Sequence, residues 1–135
     1  MSISADIKAR LLAAGLGVTR QRLALAELLF REHDRHVTAD QLFAEALGAG
    51  CDLSLATVYN NLKAFCDAGL LREVVVDSTR SYYDTNVSRH HHFYAEDTRS
   101  LSDIAEGQLV VTKLPPAPEG MAITGYEVMV RLTKR

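Results

Sequence analysis

Three adjacent histidines, His90-His91-His92, stand in the second half of a chain of 135 residues that holds five histidines in all. Along an extended backbone successive side chains point to opposite faces, so His90 and His92 share one face and His91 takes the other. Asp84 closes the β-prone run just before them, and His36 lies in the turn ahead of a helical segment earlier in the chain. If the fold brings them together, His36, Asp84, His90 and His92 give a nitrogen and oxygen donor set suited to Zn, Fe, Mn or a similar divalent ion. His91 with Asp103, or with Glu96 or Glu106, is the candidate for a second, weaker site. A surface histidine run that holds nothing is the other reading of the same residues. Catalysis is not indicated. The chain has no His-Glu-x-x-His pair, no Ser-His-Asp order, no phosphate loop and no glycine fingerprint, and the histidine set offers no general base beside a metal-bound water. The expectation is a binding protein, not an enzyme.

Composition frames that reading. The net charge is −2, 47% of residues are apolar, and there are two cysteines and no tryptophan. That apolar share excludes a disordered tail. No run approaches the ~18 uninterrupted apolar residues of a membrane span. Asp6, Lys8 and Arg10 interrupt the N-terminal stretch where a signal peptide would be apolar. Cys51 and Cys66 are too few to staple a secreted scaffold, so a reducing cytoplasm is expected, with both thiols as small buried side chains.

The elements that must position the histidines read in two halves. Residues 1–70 read as helices. Ile7, Leu11, Leu12 and Ala14 form a stripe ended by Gly15 and Gly17, and Thr19 caps a second helix carrying Leu25, Leu28 and Leu29. Thr38-Ala-Asp-Gln41 is a capping box for the third helix, with Val37 stapling onto Leu42. Ser54 caps the fourth, with Leu53 over Val58, and Leu55, Val58, Leu62 and Phe65 form one face. The period then changes. Residues 71–76 and 81–84 read as strands around the loop Asp77-Ser-Thr-Arg80, a hairpin following helices, as in a winged helix-turn-helix. Beyond residue 85, residues 91–95, 100–104, 108–112 and 126–132 read as short strands, the last with one buried face. Lys113-Leu-Pro-Pro-Ala-Pro-Glu-Gly120 breaks regular structure. Such a half makes a poor core alone, and a second subunit is expected to complete it. The expected architecture is α/β (α+β), with a winged-helix DNA-binding domain over 1–85 and a small C-terminal α/β domain over 86–135 that dimerises and senses metal.

The helix over 54–67 turns Ala56, Thr57, Asn60 and Ala64 outward, flanked by Tyr59, Asn61 and Lys63. Asn pairs bidentately with adenine, and Thr, Ala or Tyr meets a thymine methyl, so this face suits a major groove. Residues 1–80 hold nine Lys and Arg against ten Asp and Glu. Phosphate neutralisation therefore needs clustering, with Lys8, Arg10, Arg20, Arg22, Lys63 and Arg80 as candidates, and a twofold dimer on a palindrome.

Val18-Thr-Arg-Gln-Arg22, His36-Val-Thr-Ala-Asp-Gln-Leu42, Ser54-Leu-Ala-Thr-Val-Tyr59, Ala68-Gly-Leu70, Tyr83-Asp84 and His90–His92 follow the order of motifs in the ferric uptake regulator family. Over about residues 10–105 the chain resembles that family. Within it the chain is most similar to the iron response regulator branch, through Thr57-Val-Tyr-Asn60, the three histidines, Leu101-Ser-Asp-Ile104 and Pro-Ala-Pro-Glu-Gly120. The resemblance implies a dimeric regulator of iron and haem genes on double-stranded, AT-rich palindromic DNA. Tyr59 matches the recognition-helix tyrosine and Arg20 or Arg22 the basic contact, with Thr57, Asn60, Lys63 and Arg80 as further DNA-facing candidates. His36, Asp84, His90 and His92 match the regulatory metal site, Asp103 stands for a family carboxylate, and His91 matches a ligand of the other metal site. The general family binds DNA when metallated, whereas the branch acts when iron is scarce and responds to haem through its three histidines. The branch-marking residues favour the second. The family's structural zinc, held by four cysteines, is excluded, because its first pair falls at Ala95 and Thr98 and no cysteine follows Cys66. The branch's Cys-Pro haem motif is missing too, so haem would bind through histidine. A non-catalytic metal-binding protein is the remaining alternative.

Overall fold

The computed structural model describes residues 3–135. The chain divides into two compact units, residues 3–87 and 88–135.

The first unit opens with helices α1 (Ile3–Ala13), α2 (Arg20–Phe30), α3 (Ala39–Gly48) and α4 (Leu55–Asp67), with the short strand β1 (His36–Val37) between α2 and α3. A hairpin of β2 (Arg72–Asp77) and β3 (Arg80–Asp84) follows. The caps are the expected ones. The Thr38 hydroxyl accepts the Gln41 amide while the Gln41 side chain accepts the Thr38 amide, and Val37 and Leu42 are both buried beside that turn. Thr19 and Ser54 accept from the amides of Arg22 and Thr57. At the end of α4 the Leu70 amide reaches back to the Phe65 carbonyl across Gly69, which sits at φ +78°. That left-handed position favours glycine and stops the helix. Leu11, Leu25, Leu29, Leu42, Val58, Leu62 and Phe65 build the core, and Phe30 meets Phe65 edge-on at 5.8 Å between ring centroids.

Four expectations need correction here. Leu12 is exposed, because the inward face of α1 is the Ile7–Leu11 line one turn apart. Val58, Asn61, Leu62 and Phe65 hold the buried face of α4, whereas Leu55 is only half-buried and Asn61 does not flank the outer face. The hairpin loop is tighter than expected, since Asp77 pairs with Arg80 and only Ser78 and Thr79 lie between. His36 is not in a turn. It belongs to β1, which pairs antiparallel with β3 and gives a sheet of order β1-β3-β2. Alternation along β2 buries Val74 and Val76 and leaves Val75 at 63% exposure.

The second unit contains β4 (His92–Ala95), β5 (Ser100–Asp103) and β6 (Met129–Leu132), in the order β5-β4-β6. β4 and β5 are antiparallel, and β6 returns parallel to β4. Among the described residues, no helix falls within 88–135. Residues 108–112 do not form the expected strand. Gln108 and Leu109 instead line an apolar hollow of about 370 Å³ with Phe93, Ile104 and Val130. The last strand is four residues long, without the buried face that alternation implied, and Leu132 is exposed. Tyr94, Leu101 and Ile104 are buried, whereas Val110, Leu114, Met121, Ile123 and Tyr126 stay exposed.

Because Thr38 satisfies an α3 donor two residues beyond His36, Thr38→Ala should lower the unfolding free energy by about 1 kcal/mol in a urea titration followed by circular dichroism. An unchanged midpoint and slope would show that the capping box contributes nothing.

Candidate metal centre and nucleic-acid interface

In the first unit the pairing of β1 with β3 sets His36 opposite Asp84. His36 Nε2 lies 3.1 Å from Asp84 Oδ2, and the Asp84 carboxylate is fully buried. Asp84 Oδ1 accepts the amide of Asn86 at 2.9 Å. The backbone on either side is pinned. The Arg35 amide donates to Thr85 Oγ1 and the Thr85 amide donates to the Arg35 carbonyl. The Arg35 guanidinium forks onto both Glu45 carboxylate oxygens at 2.8 and 2.6 Å and also donates to the Leu28 carbonyl. The bond to Glu45 holds the Arg35 pKa above its ordinary value, against the opposing effect of burial. A charged fork therefore fixes the residue directly before His36.

In the second unit β4 and β5 place His92 opposite Asp103. Asp103 Oδ1 lies 3.0 Å from His90 Nε2 and 3.5 Å from His92 Nε2, and the two rings are 4.4 Å apart. His90, His92 and Asp103 each offer one ligand atom, and these atoms lie within 4.8 Å of one another. The protonation of His90 follows from its other nitrogen. Nδ1 sits 2.7 Å from the Ser88 carbonyl, which can only accept, so Nδ1 carries the hydrogen. The lone pair of a neutral His90 is then on Nε2, aimed at Asp103. A carbonyl holding the distal N–H is the arrangement that orients metal-ligating histidines.

His91 is different. The Val128 amide donates to its Nδ1 at 3.0 Å, and its ring stacks on Tyr126 at 5.6 Å. An amide can only donate, so the His91 lone pair is used within the protein and the hydrogen of the neutral ring is on Nε2. The structure thus separates His91 from Asp103, which sits with His90 and His92, and corrects their pairing as a second site. The run His90–His92 is split between two environments, His90 and His92 beside Asp103 and His91 beside Tyr126.

The cysteines lie outside this cluster. Cys66 is half-buried, and burial, with Glu73 and Asp67 adding to it, pushes its thiol up to about 11. Cys51 is likewise half-buried rather than buried. Tyr83, next to Asp84, is pushed up to about 12 by burial and stays a phenol.

On α4 Tyr59 is 48% exposed, Asn60 and Lys63 are exposed and Thr57 is half-buried. Lys63 Nζ pairs with Asp67 at 2.9 Å, and Arg80 lies 3.9 Å from Asp77 in the wing. Arg20 is exposed at the start of α2. Arg22 is turned inward, with Nε donating to Asn61 Oδ1 and Nη1 to the Gly17 carbonyl, both at 2.9 Å. Asn61 is the residue that sequence reasoning missed. The signal was present in its spacing, because Val58, Asn61, Leu62 and Phe65 follow the i, i+3, i+4, i+7 pattern of a buried face.

Residues 13–130 match the ferric uptake regulator family. The chain belongs to that family. Over 101 residues it is 34% identical to the peroxide-responsive repressor PerR of Staphylococcus aureus, covering 75% of this chain and 68% of that protein. Its fold is similar to that of the Pseudomonas aeruginosa ferric uptake regulator with manganese, with a TM-score of 0.72 and 24% identity over 95% of this chain and 97% of that one. The Vibrio cholerae ferric uptake regulator gives a TM-score of 0.72 at 21% identity, over 93% and 98% of the two chains. This is a family of metal-responsive, DNA-binding transcription regulators that form dimers, with an N-terminal winged helix and a C-terminal dimerisation domain. Among the described residues, no helix is long and apolar enough to cross a membrane.

Since the His91 lone pair is committed to Val128, His91→Ala should leave the number of Mn(II) ions bound per chain unchanged by calorimetric titration, while His90→Ala should lose one. Loss of an ion from the His91 variant would mean that the Val128 bond is given up for a metal.

Proposed function

We propose that this chain is a dimeric repressor of iron-metabolism genes whose operator affinity is raised by one divalent ion held by His36, Asp84, His90 and His92, with Asp103 as a further carboxylate. The observation that carries the reading is the donor inventory of each unit. Residues 3–87 offer an imidazole and a buried carboxylate, and residues 88–135 offer two imidazoles and a carboxylate. A divalent first-row ion takes about four to six donors. Neither group alone meets that number, and together they do. Mixed nitrogen and oxygen donors without thiolate suit Fe or Mn as well as Zn. The ion would supply positive charge where imidazole lone pairs and carboxylates face one another. This chain's own residues do the rest. Ser88 fixes the His90 tautomer, the Arg35–Glu45 fork and Thr85 fix His36, and Asn86 fixes Asp84.

Donors taken from both units would couple ion occupancy to the relative placement of residues 3–87 and 88–135. Occupancy would therefore set the half-site spacing that a twofold pair of α4 helices can span. Thr57, Tyr59 and Asn60 would read base edges, with Arg20, Lys63 and Arg80 near phosphates. A protein responsible for iron genes in this way acts in the cytoplasm on double-stranded, AT-rich palindromic DNA. The manganese and iron in solved relatives agree with the choice of ions.

Duplexes selected from a randomised library with the Mn(II)-loaded chain test the reading by fluorescence anisotropy. The expected result is a palindromic preference, a steep fall of log affinity with log salt, and at least about tenfold weaker binding after chelation. Tyr59→Ala should reduce the preference for the selected duplex without unfolding the chain. Equal affinity with and without metal, or no sequence preference, would refute the proposal.

A further inference from the structure

Arg22 has the charge of a phosphate contact and the geometry of something else. Its backbone amide closes the cap of α2 on Thr19 Oγ1 at 3.1 Å. Its guanidinium donates through Nη1 to the Gly17 carbonyl, in the turn before α2, and through Nε to Asn61 Oδ1 on α4. Asn61 is 7% exposed and passes the connection on, its Nδ2 donating to the Thr57 carbonyl at 2.9 Å. The Thr57 hydroxyl is itself 3.0 Å from Ser54 Oγ at the cap of the same helix. One residue before Arg22, Gln21 Nε2 donates to the Asp52 carbonyl at 3.1 Å, just ahead of α4. Two consecutive side chains in the first turn of α2 thus hold α4 at its approach and on its buried face.

We propose that Arg22, acting through Asn61, is a positioning residue that sets the angle of the recognition helix for specific DNA binding, and is not a phosphate contact. The inference rests on the reading of α4 given above. A buried amide without partners is costly, so Asn61 among Val58, Leu62 and Phe65 requires both of its hydrogen bonds. The planar guanidinium meets Asn61 and Gly17 through two nitrogens of fixed separation, which a lysine ammonium on its flexible stem does not reproduce. Base-edge hydrogen bonds tolerate only a few tenths of an ångström, with donor–acceptor distances of about 2.7–3.2 Å. Attraction to phosphates tolerates far more. Releasing the α2–α4 tie therefore weakens the selected duplex more than random DNA, and leaves the salt dependence where it was.

The test uses the full chain with Mn(II), a duplex that it selects from a randomised library, and a random duplex of equal length. Arg22→Lys should lower the selected-to-random affinity ratio by about tenfold, with the log–log salt slope of the unsubstituted chain. Adding Asn61→Ala to Arg22→Lys should cost little more, since both act on one network. Wild-type affinity for Arg22→Lys would overturn the proposal, because a phosphate contact accepts lysine. So would an Arg22→Gln variant whose salt slope falls by about 0.9, the loss of one phosphate contact. Should Arg22→Gln fail to fold, the charge-conserving Arg22→Lys and its double variant decide alone. If the unsubstituted chain selects no duplex, the recognition-helix reading falls and this proposal falls with it. A selective parent with an equally selective Arg22→Lys defeats the proposal only.

Discussion

An imidazole lone pair and a carboxylate oxygen about 3 Å apart repel unless a positive charge lies between them. This chain sets an imidazole nitrogen against a carboxylate twice: the pairing of β1 with β3 puts His36 opposite Asp84, and the pairing of β4 with β5 puts His92 opposite Asp103, which also lies 3.0 Å from His90. Either a proton or a metal ion must satisfy each one. At His90 the Ser88 carbonyl takes the Nδ1 hydrogen, so the lone pair of the neutral ring is on Nε2, facing Asp103. The surrounding structure follows from holding these groups in place. The buried Asp84 carboxylate is kept by the Asn86 amide, and the short strand carrying His36 is clamped by Thr85 and by the fork between Arg35 and Glu45.

The strand that carries His36 is linked to α4 through α3. His36 directly precedes the buried Val37, and Thr38 then caps α3, which packs against α4. A displacement at β1 is therefore delivered to a capped helix rather than absorbed by a flexible loop. The second unit is built to a lower standard of self-sufficiency. Few of its side chains are buried, and a series of large apolar residues from Val110 to Tyr126 stays exposed. A monomeric domain rarely leaves so much apolar surface uncovered.

Local chemistry was legible in the sequence, and long-range pairing was not. The capping box at Thr38 and Gln41 and the cap at Ser54 were readable because every partner lies within three residues. The opposite faces of His90 and His91 followed from alternation alone. β1 was invisible because two residues carry no period, and only β3 makes His36–Val37 a strand. Asn61 was misplaced because its polarity outweighed its spacing, and its partner Arg22 lies 39 residues away. Residues 108–112 have strand-like composition, yet none of them pairs with the β5-β4-β6 sheet. Arg22 was read as a DNA contact from its charge and its match to a family contact, and neither carries the bonds that it makes to Gly17 and Asn61.

In the function we propose, His36, Asp84, His90, His92 and Asp103 hold a single ion. Calorimetric titration of Mn(II) into the intact chain, compared with Asp84→Asn and Asp103→Asn, tests it most directly. One tightly bound ion per chain is expected, abolished or greatly weakened by either substitution alone. Two ions per chain, with each substitution removing one and sparing the other, would contradict it.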